Sequence, residues 1–190
     1  MDELENALHE HFGFEQFRPG QREVIEHVLA RRHTLAVLPT GRGKSLCYQL
    51  PAQLLPGLTL VISPLIALMQ DQTTALERRG FRNVTSLSSA LSPSEVGRRL
   101  SEIERGEHKL VYVAPERFDS PRFQQLARQT EISLVVIDEA HCISQWGHDF
   151  RPHYRTLLTR LPELRRATFL AVTATATPEV QNDIAASLAL

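Results

Sequence analysis

The sequence predicts an α/β protein, a three-layer sandwich in which helices cover both faces of a mainly parallel sheet. Three observations carry that expectation. Six short apolar runs are near-continuous rather than alternating, as strands buried on both faces must be. Stretches of helical length separate them, and such alternation enforces right-handed crossovers and parallel pairing. The informative motifs all follow the C-terminal ends of the runs, the edge at which such sheets bind ligands.

In chain order the expected strands are His33–Leu38, Leu58–Ser63, Val84–Leu87, Lys109–Ala114, Ser133–Asp138 and Ala167–Thr173. Helices are expected at 3–11, 20–31, 44–55, 65–79, 93–105, 121–129, 155–160 and 178–188. Two of them open with Ser-Pro (Ser92-Pro93 and Ser120-Pro121), and Thr177-Pro178-Glu179 repeats the signal. A hydroxyl caps the free amides of a first turn, and proline suits the first helical position. With no repeat, low-complexity stretch or linker, a single domain spanning residues 1–190 is expected.

Composition excludes several function classes. The net charge of −1 gives no global attraction to nucleic acid or membrane, so any polyanion site must be a local patch. Two cysteines, Cys47 and Cys142, are too few for a disulfide framework or a four-cysteine zinc site and read as buried thiols. Among eight histidines, His9/His11 and His148/His153 are scattered, with no cysteine or carboxylate at ligand spacing, and no metal-binding histidine cluster is expected. The polar start MDELENALHE is no signal peptide, and no 18-residue apolar run exists. A reduced, cytoplasmic protein with no membrane partner is expected. The doublets Arg31-Arg32, Arg78-Arg79, Arg98-Arg99 and Arg165-Arg166 read as solvated faces.

The first strand runs into Pro39-Thr40-Gly41-Arg42-Gly43-Lys44-Ser45, and a helix follows. Closely spaced glycines let backbone amides wrap phosphate oxygens, and the helix aims its positive end at the same anion. The chain has 21 basic residues, of which only Lys44 and Lys109 are lysines. A compact ammonium suits the β- and γ-phosphates in a tight loop better than a planar guanidinium, and Ser45 suits Mg²⁺. Leu38 occupies the place of the first glycine in the stricter phosphate-loop pattern.

Leu134-Val135-Val136-Ile137 ends in Asp138-Glu139-Ala140-His141. Carboxylates at the tip of a buried strand fall at the ligand edge. Asp138 would hold Mg²⁺ through water, and Glu139 would orient and deprotonate an attacking water. Phosphate grip and metal-plus-base need one another, so the reading requires Lys44 and the two carboxylates to converge in space. Between His141 and Arg166, five arginines face two carboxylates beside the chain's only tryptophan, Trp146, a pattern suited to stacking bases and tracking a single strand.

Thr40 to Ser45, Asp138 to His141 and Thr173-Ala174-Thr175 resemble motifs I, II and III of superfamily-two helicases. The string Ala140-His141-Cys142-Ile143-Ser144-Gln145-Trp146-Gly147-His148-Asp149-Phe150-Arg151-Pro152 resembles the aromatic-rich loop of RecQ DNA helicases. Phe12 to Gln21 resembles the RecQ motif that reads adenine, and Ser63 to Gln72 and Ala114 to Arg117 resemble motifs Ia and Ib. The resemblance covers about residues 4–190. It implies a RecA-like P-loop NTPase lobe using ATP and Mg²⁺. It also implies that Gln21 bonds the adenine edge between Arg18 and Phe14, where tyrosine is common in the family. His141 would link the nucleotide and DNA sites, Thr173 and Thr175 would couple hydrolysis to movement, and Gln145, Trp146, His148, Phe150 and Arg151 would meet DNA.

Two departures stand out. Arg42 replaces a residue usually small in RecQ proteins. The sequence also stops soon after motif III, whereas the family continues into a second RecA-like lobe and usually zinc-binding and winged-helix domains. The expectation is therefore a first motor lobe of a 3′-to-5′ DNA helicase, monomeric, acting on single-stranded or junction DNA, nucleoid-associated if bacterial. Slow hydrolysis is expected without the second lobe. The alternative is a non-translocating, nucleotide-gated DNA-binding adaptor. A P-loop kinase or GTPase fits poorly, since a Trp-bearing loop after Asp-Glu-Ala-His has no role there.

Overall fold

The computed structural model describes residues 2–190. The strands are β1 (Thr34–Val37), β2 (Leu58–Ile62), β3 (Val84–Leu87), β4 (Leu110–Val113), β5 (Ile132–Ile137) and β6 (Thr168–Thr173). The helices are α1 (Glu3–Phe12), α2 (Gln21–Leu29), α3 (Leu46–Leu54), α4 (Ile66–Arg78), α5 (Pro93–Glu104), α6 (Pro121–Gln129), α7 (Pro152–Arg155), α8 (Leu157–Arg160) and α9 (Pro178–Leu188). Short 3₁₀ turns lie at Pro115–Asp119, Ala140–Ile143 and Pro162–Arg166. Every expected strand forms, with ends trimmed by a residue or so.

The sheet order is β1-β6-β5-β2-β4-β3, and every pairing is parallel. Successive residues of the central strands serve opposite layers. Val135, Ile137, Phe169 and Ala171 face the core beneath α5, α6 and α9. Leu134, Val136, Leu170 and Val172 face the core beneath α1 to α4. Each fully buried aliphatic side chain contributes roughly 1.5–3 kcal/mol. With both faces covered, β5 is apolar from Leu134 to Ile137, and its one buried polar side chain, Ser133, is satisfied by the Gly57 amide. The start signals work as expected. Ser92, Ser120 and Thr177 each accept a bond from the amide three residues on.

Two expectations need correction. The helix expected at 155–160 is two single turns, α7 and α8, that meet at Thr156. There Thr156 Oγ1 donates to the His153 carbonyl at 3.2 Å, drawing it away from the helical ladder. The arginine doublets are not simply solvated. Arg31 donates to the Ser133 carbonyl at 3.2 Å, Arg79 to Phe12 at 3.0 Å and Arg99 to Ser86 at 2.8 Å. One member of each of these doublets therefore ties its element to a backbone carbonyl. Arg165 and Arg166 are exposed as expected. Among the described residues no helix is long and apolar enough to cross a membrane.

The turn between α3 and β2 depends on a missing side chain. Gly57 donates its amide to Ser133 Oγ at 2.9 Å, and a Cβ there would lie 2.6 Å from both the Glu131 carbonyl oxygen and Ser133 Oγ. Gly57→Ala must push β2 away from the start of β5. We expect a loss of about 1–3 kcal/mol, read as a melting temperature lower by roughly 2–12 °C. An unchanged melting curve would show that this close approach is not a constraint.

Candidate functional site

Three neighbouring strands deliver their C-terminal ends to one edge of the sheet. β1 leads into residues 38–45, β6 ends at Thr173, and β5 delivers Asp138 and Glu139. Val37 is in register with Thr173, and Ile137 with Ala171. β1 and β5 are thus two strand spacings apart, roughly 10 Å. That gap is short enough for the Lys44 charge to act on Asp138. Burial chiefly, and then Glu139, push the Asp138 carboxyl up to about 6, while Lys44 draws it back down. Lys44 and Asp138 therefore lie on the same edge of the sheet.

The loop itself is built from left-handed glycines, Gly41 (φ 82°) and Gly43 (φ 71°), with Arg42 between them at negative φ and exposed. Leu38 stands at the first-glycine place, one residue past β1, where it still extends the pairing with β6. Its amide donates to the Thr173 carbonyl at 3.0 Å, and its side chain is buried. Gln21 straps the loop down, donating to the Arg42 and Gly43 carbonyls at 3.0 and 2.9 Å while its Oε1 accepts from the Arg18 amide. A Cβ on Gly43 would lie 2.6 Å from Gln21 Nε2. Arg18 adds a bond to the Gly41 carbonyl at 2.5 Å. Gln21, 2% exposed, is therefore no solvated helix start.

Beside the loop lies a cavity of about 300 Å³ lined by Phe14, Arg18, Gln21, Gly43, Ser45 and Arg79, among others. The structure thus gathers the residues singled out for the base with Ser45 of the loop. Arg79 was missed. Its guanidinium carbon sits 5.0 Å from the centre of the Phe14 ring, which is 40% exposed. Only the fold brings the end of α4 to residue 14. Gln49 was also missed; it lines the same cavity and donates to Gln72 and to Tyr112.

At the tip of β5, Asp138 continues the ladder through its amide to the Ile62 carbonyl. Glu139 then adopts φ 50°. A left-handed non-glycine residue at a ligand edge is strain that surrounding structure must enforce. Its side chain comes 3.4 Å from His141 Nδ1. His141 Nδ1 also lies 3.0 Å from Thr173 Oγ1, whose own hydrogen goes to the Thr175 carbonyl at 3.1 Å. His141 is therefore the donor in that pair, and burial lowers its pKa. Asp138, Glu139, His141, Thr173 and Thr175 form one connected polar group.

The aromatic-rich loop grows from the same group. Trp146 is 67% exposed, which rules out a core anchor, and Phe150 is also exposed. His148 stacks on His141 with ring centres 4.3 Å apart. Arg151 pairs with Asp149 at 3.2 Å, and Gln145 is exposed. Gly147 leaves no room for a side chain against the His141 carbonyl oxygen. Asp183 of α9 was missed. It accepts from Ser144 Oγ and from the Gln145 amide. Its place beside Ile184 on a helix gave it the look of an ordinary solvent-facing carboxylate.

A grouping that the histidine pairs singled out in the sequence do not include forms around His141. The fold returns Asp149 to the adjacent pair His141-Cys142, with ligand atoms within 4.8 Å of one another. Thr173 and Arg151 already engage two of them. Both cysteines are buried thiols, pushed up to about 12 by burial.

A family model described as DEAD/DEAH box helicase matches residues 18–184. The ATP-dependent DNA helicase RecQ of Bacillus subtilis (strain 168) is 48% identical over 99% of this chain and 32% of its own length. The probable ATP-dependent DNA helicase RecS of the same organism is 46% identical over 97% of this chain and 37% of its own length. The chain thus spans about a third of the length of these curated relatives. Among solved structures, the DEAD-box helicase Mss116 bound to ssRNA and UDP-BeF superposes with a TM-score of 0.78 at 19% identity, over 99% of this chain and 41% of that one. That likeness speaks for the fold, a RecA-like lobe. Strand tips, phosphate loop and carboxylate pair agree with the sequence match: this chain belongs to the DEAD/DEAH box helicase family, and its relatives there are RecQ-type helicases.

Proposed function

We propose that this chain is the first motor lobe of a RecQ-type, ATP-dependent 3′-to-5′ DNA helicase. It would bind ATP-Mg²⁺ and single-stranded DNA and hydrolyse ATP efficiently only with a second RecA-like lobe. One observation carries the reading: the phosphate loop and the Asp138-Glu139 pair meet across Thr173, and the exposed aromatic loop starts from that same junction. The relatives' names supply the ATP dependence and the DNA substrate.

The residues divide the work by chemistry. Loop amides and the Lys44 ammonium hold the β- and γ-phosphates, while Phe14, Arg18 and Gln21 take the base. Gln21 and Arg18 also bond the loop carbonyls, so a base would compete with those bonds. The donors Ser45 and Asp138 fit a hard divalent cation: Asp138 is a buried carboxylate whose raised pKa marks a charge short of partners. Mg²⁺ there would neutralise charge building on the transferred phosphoryl group. Glu139, held close to His141, orients the attacking water and takes its proton. His141 and Thr173 pass the change to residues 144–151, where Trp146 and Phe150 stack on bases and Arg151 meets phosphate.

Four measurements test this. Lys44→Ala should weaken ATP-Mg²⁺ binding roughly 10–100-fold. Glu139→Gln should keep binding but cut DNA-stimulated turnover, measured with the second lobe of a relative added in trans, by about 10²–10⁴-fold. No ATPase in any combination, with DNA binding intact, would leave the adaptor reading instead. Arg42 is exposed beside the phosphates, so Arg42→Gly should raise KM for ATP roughly two- to fivefold, as loss of one surface cation does. Identical kinetic constants would remove that role. Asp138 carries a folded-state pKa above its ordinary value. The stability it confers is therefore present below about pH 4 and lost as pH rises through about 6. Asp138→Asn should melt higher than the wild type near neutral pH by on the order of 3 kcal/mol, with the gap closing near pH 4. ATP-Mg²⁺ should stabilise only the wild type. Equal melting at all pH values would refute the burial argument.

A further inference from the structure

The aromatic-rich loop is fastened at two places to one stretch of chain, β6 through α9. The first fastening is His141 to Thr173, in the nucleotide-side group. The second is Asp183, eight residues past Thr175 on α9. One carboxylate oxygen accepts from Ser144 Oγ at 2.8 Å and from the Gln145 amide at 3.3 Å. The other pairs with the Arg155 guanidinium. Ser144 Oγ in turn accepts from the Trp146 amide at 3.2 Å. Arg155 also donates to the Ile143 carbonyl at 3.0 Å and lies 5.9 Å from the centre of the Phe150 ring. A single largely buried carboxylate therefore touches the start of the loop, orders the backbone of Trp146 through one hydroxyl, and reaches the Phe150 side through one guanidinium. Nothing in nucleotide binding requires it.

Hydrogen bonds to an ionised group are the strong kind, and a network through one shared acceptor fixes geometry more firmly than separate bonds. α9 is an 11-residue helix whose Thr177 cap follows Thr175 closely. Its core side, Val180, Ile184 and Leu188, is buried in the layer that also holds Cys142 and Ile143. A displacement at Thr173-Ala174-Thr175 therefore moves Asp183 with it as a lever on the loop.

We propose that Asp183 is a positioning residue for DNA engagement: it sets the orientation of Trp146 and Phe150 and ties the loop to the segment bearing Thr173 and Thr175. This rests on the helicase reading above, but its first test does not. Trp146 is the only tryptophan, so its fluorescence anisotropy in the free 190-residue chain reports the loop directly.

Asp183→Ala should lower the Trp146 anisotropy, and Asp183→Asn, which keeps the volume and an acceptor but loses the charge, should give a smaller drop. Arg155→Ala should lower it too, with the double variant showing less than the sum, as partners in one network do. Labelled single-stranded oligonucleotide should bind Asp183→Ala about tenfold more weakly. Binding of a fluorescent ATP analogue should stay within about twofold of the wild type, since Asp183 lies outside that site. A circular-dichroism melt separates a loosened loop from an unfolded one; if the alanine variant does not fold, the asparagine variant decides. Unchanged anisotropy in the folded variants overturns the proposal. So does an equal loss of nucleotide and DNA binding, which marks a general structural role. Lowered anisotropy in a chain whose wild type binds no DNA upholds the brace and refutes the helicase reading, so the two failures remain distinct.

Discussion

A strand buried on both faces that ends in charge is the constraint from which the rest follows. β5 carries apolar side chains into two separate cores and then, within one residue, presents a carboxylate. Asp138 is held where solvation is poor, so its charge is costly until a cation arrives. Lys44, two strands away, is the nearby positive charge that offsets part of that cost. Stability and chemistry are opposed at this spot. On the proposed reading, the energy lost by burying Asp138 would make the edge receptive to a metal and a triphosphate, and the cores on either side of β5 offset that loss.

The same edge explains the choice of lysine in an arginine-rich chain. Arginines here act as ties: Arg18, Arg31, Arg79 and Arg99 each end on a backbone carbonyl, using a planar fork that spans distance. Such a side chain next to Gly43 would find the Arg42 and Gly43 carbonyls already claimed by Gln21. A compact ammonium leaves the loop amides free for phosphate. Gln21 thereby holds the loop backbone while leaving its amides free.

Much of this was legible in the sequence. The six strands were visible because burial on both faces demands continuous apolar runs, and the phosphate loop because only glycine adopts its backbone cheaply. Trp146 stood out as the chain's only tryptophan in an arginine-rich stretch, but its exposure came only with the structure. What stayed hidden depends on contacts across long sequence separation. Arg79 and Phe14 are 65 positions apart, and no local pattern reports that the end of α4 reaches the base cavity. Asp183 lies in an amphipathic helix that needs no carboxylate to form. The α7–α8 break was illegible because a single threonine side chain decides it. The His141-Cys142-Asp149 grouping appears only when the loop folds back.

These hidden contacts share a direction. Each joins the nucleotide edge to an element that does not touch it directly: Arg79 through α4, Gln49 through Gln72, and Asp183 through α9. α4 begins just after the Ser63-Pro64 segment that follows β2 and ends at the base cavity. α9 begins just after Thr175 and ends its polar contacts at the aromatic loop. Helices are stiff over such lengths, so a change at one end cannot be absorbed along the way. On the proposed reading, a lobe built like this would carry nucleotide occupancy outward along two rods on opposite faces of one sheet. The loop next to Trp146 stands at the end of one rod and is also joined, through His141 and Thr173, to the strand between phosphate loop and carboxylate pair. Two attachments to a single chain segment make that loop a lever rather than a free arm, and a lever is what converting a change at the phosphates into movement of a bound strand requires.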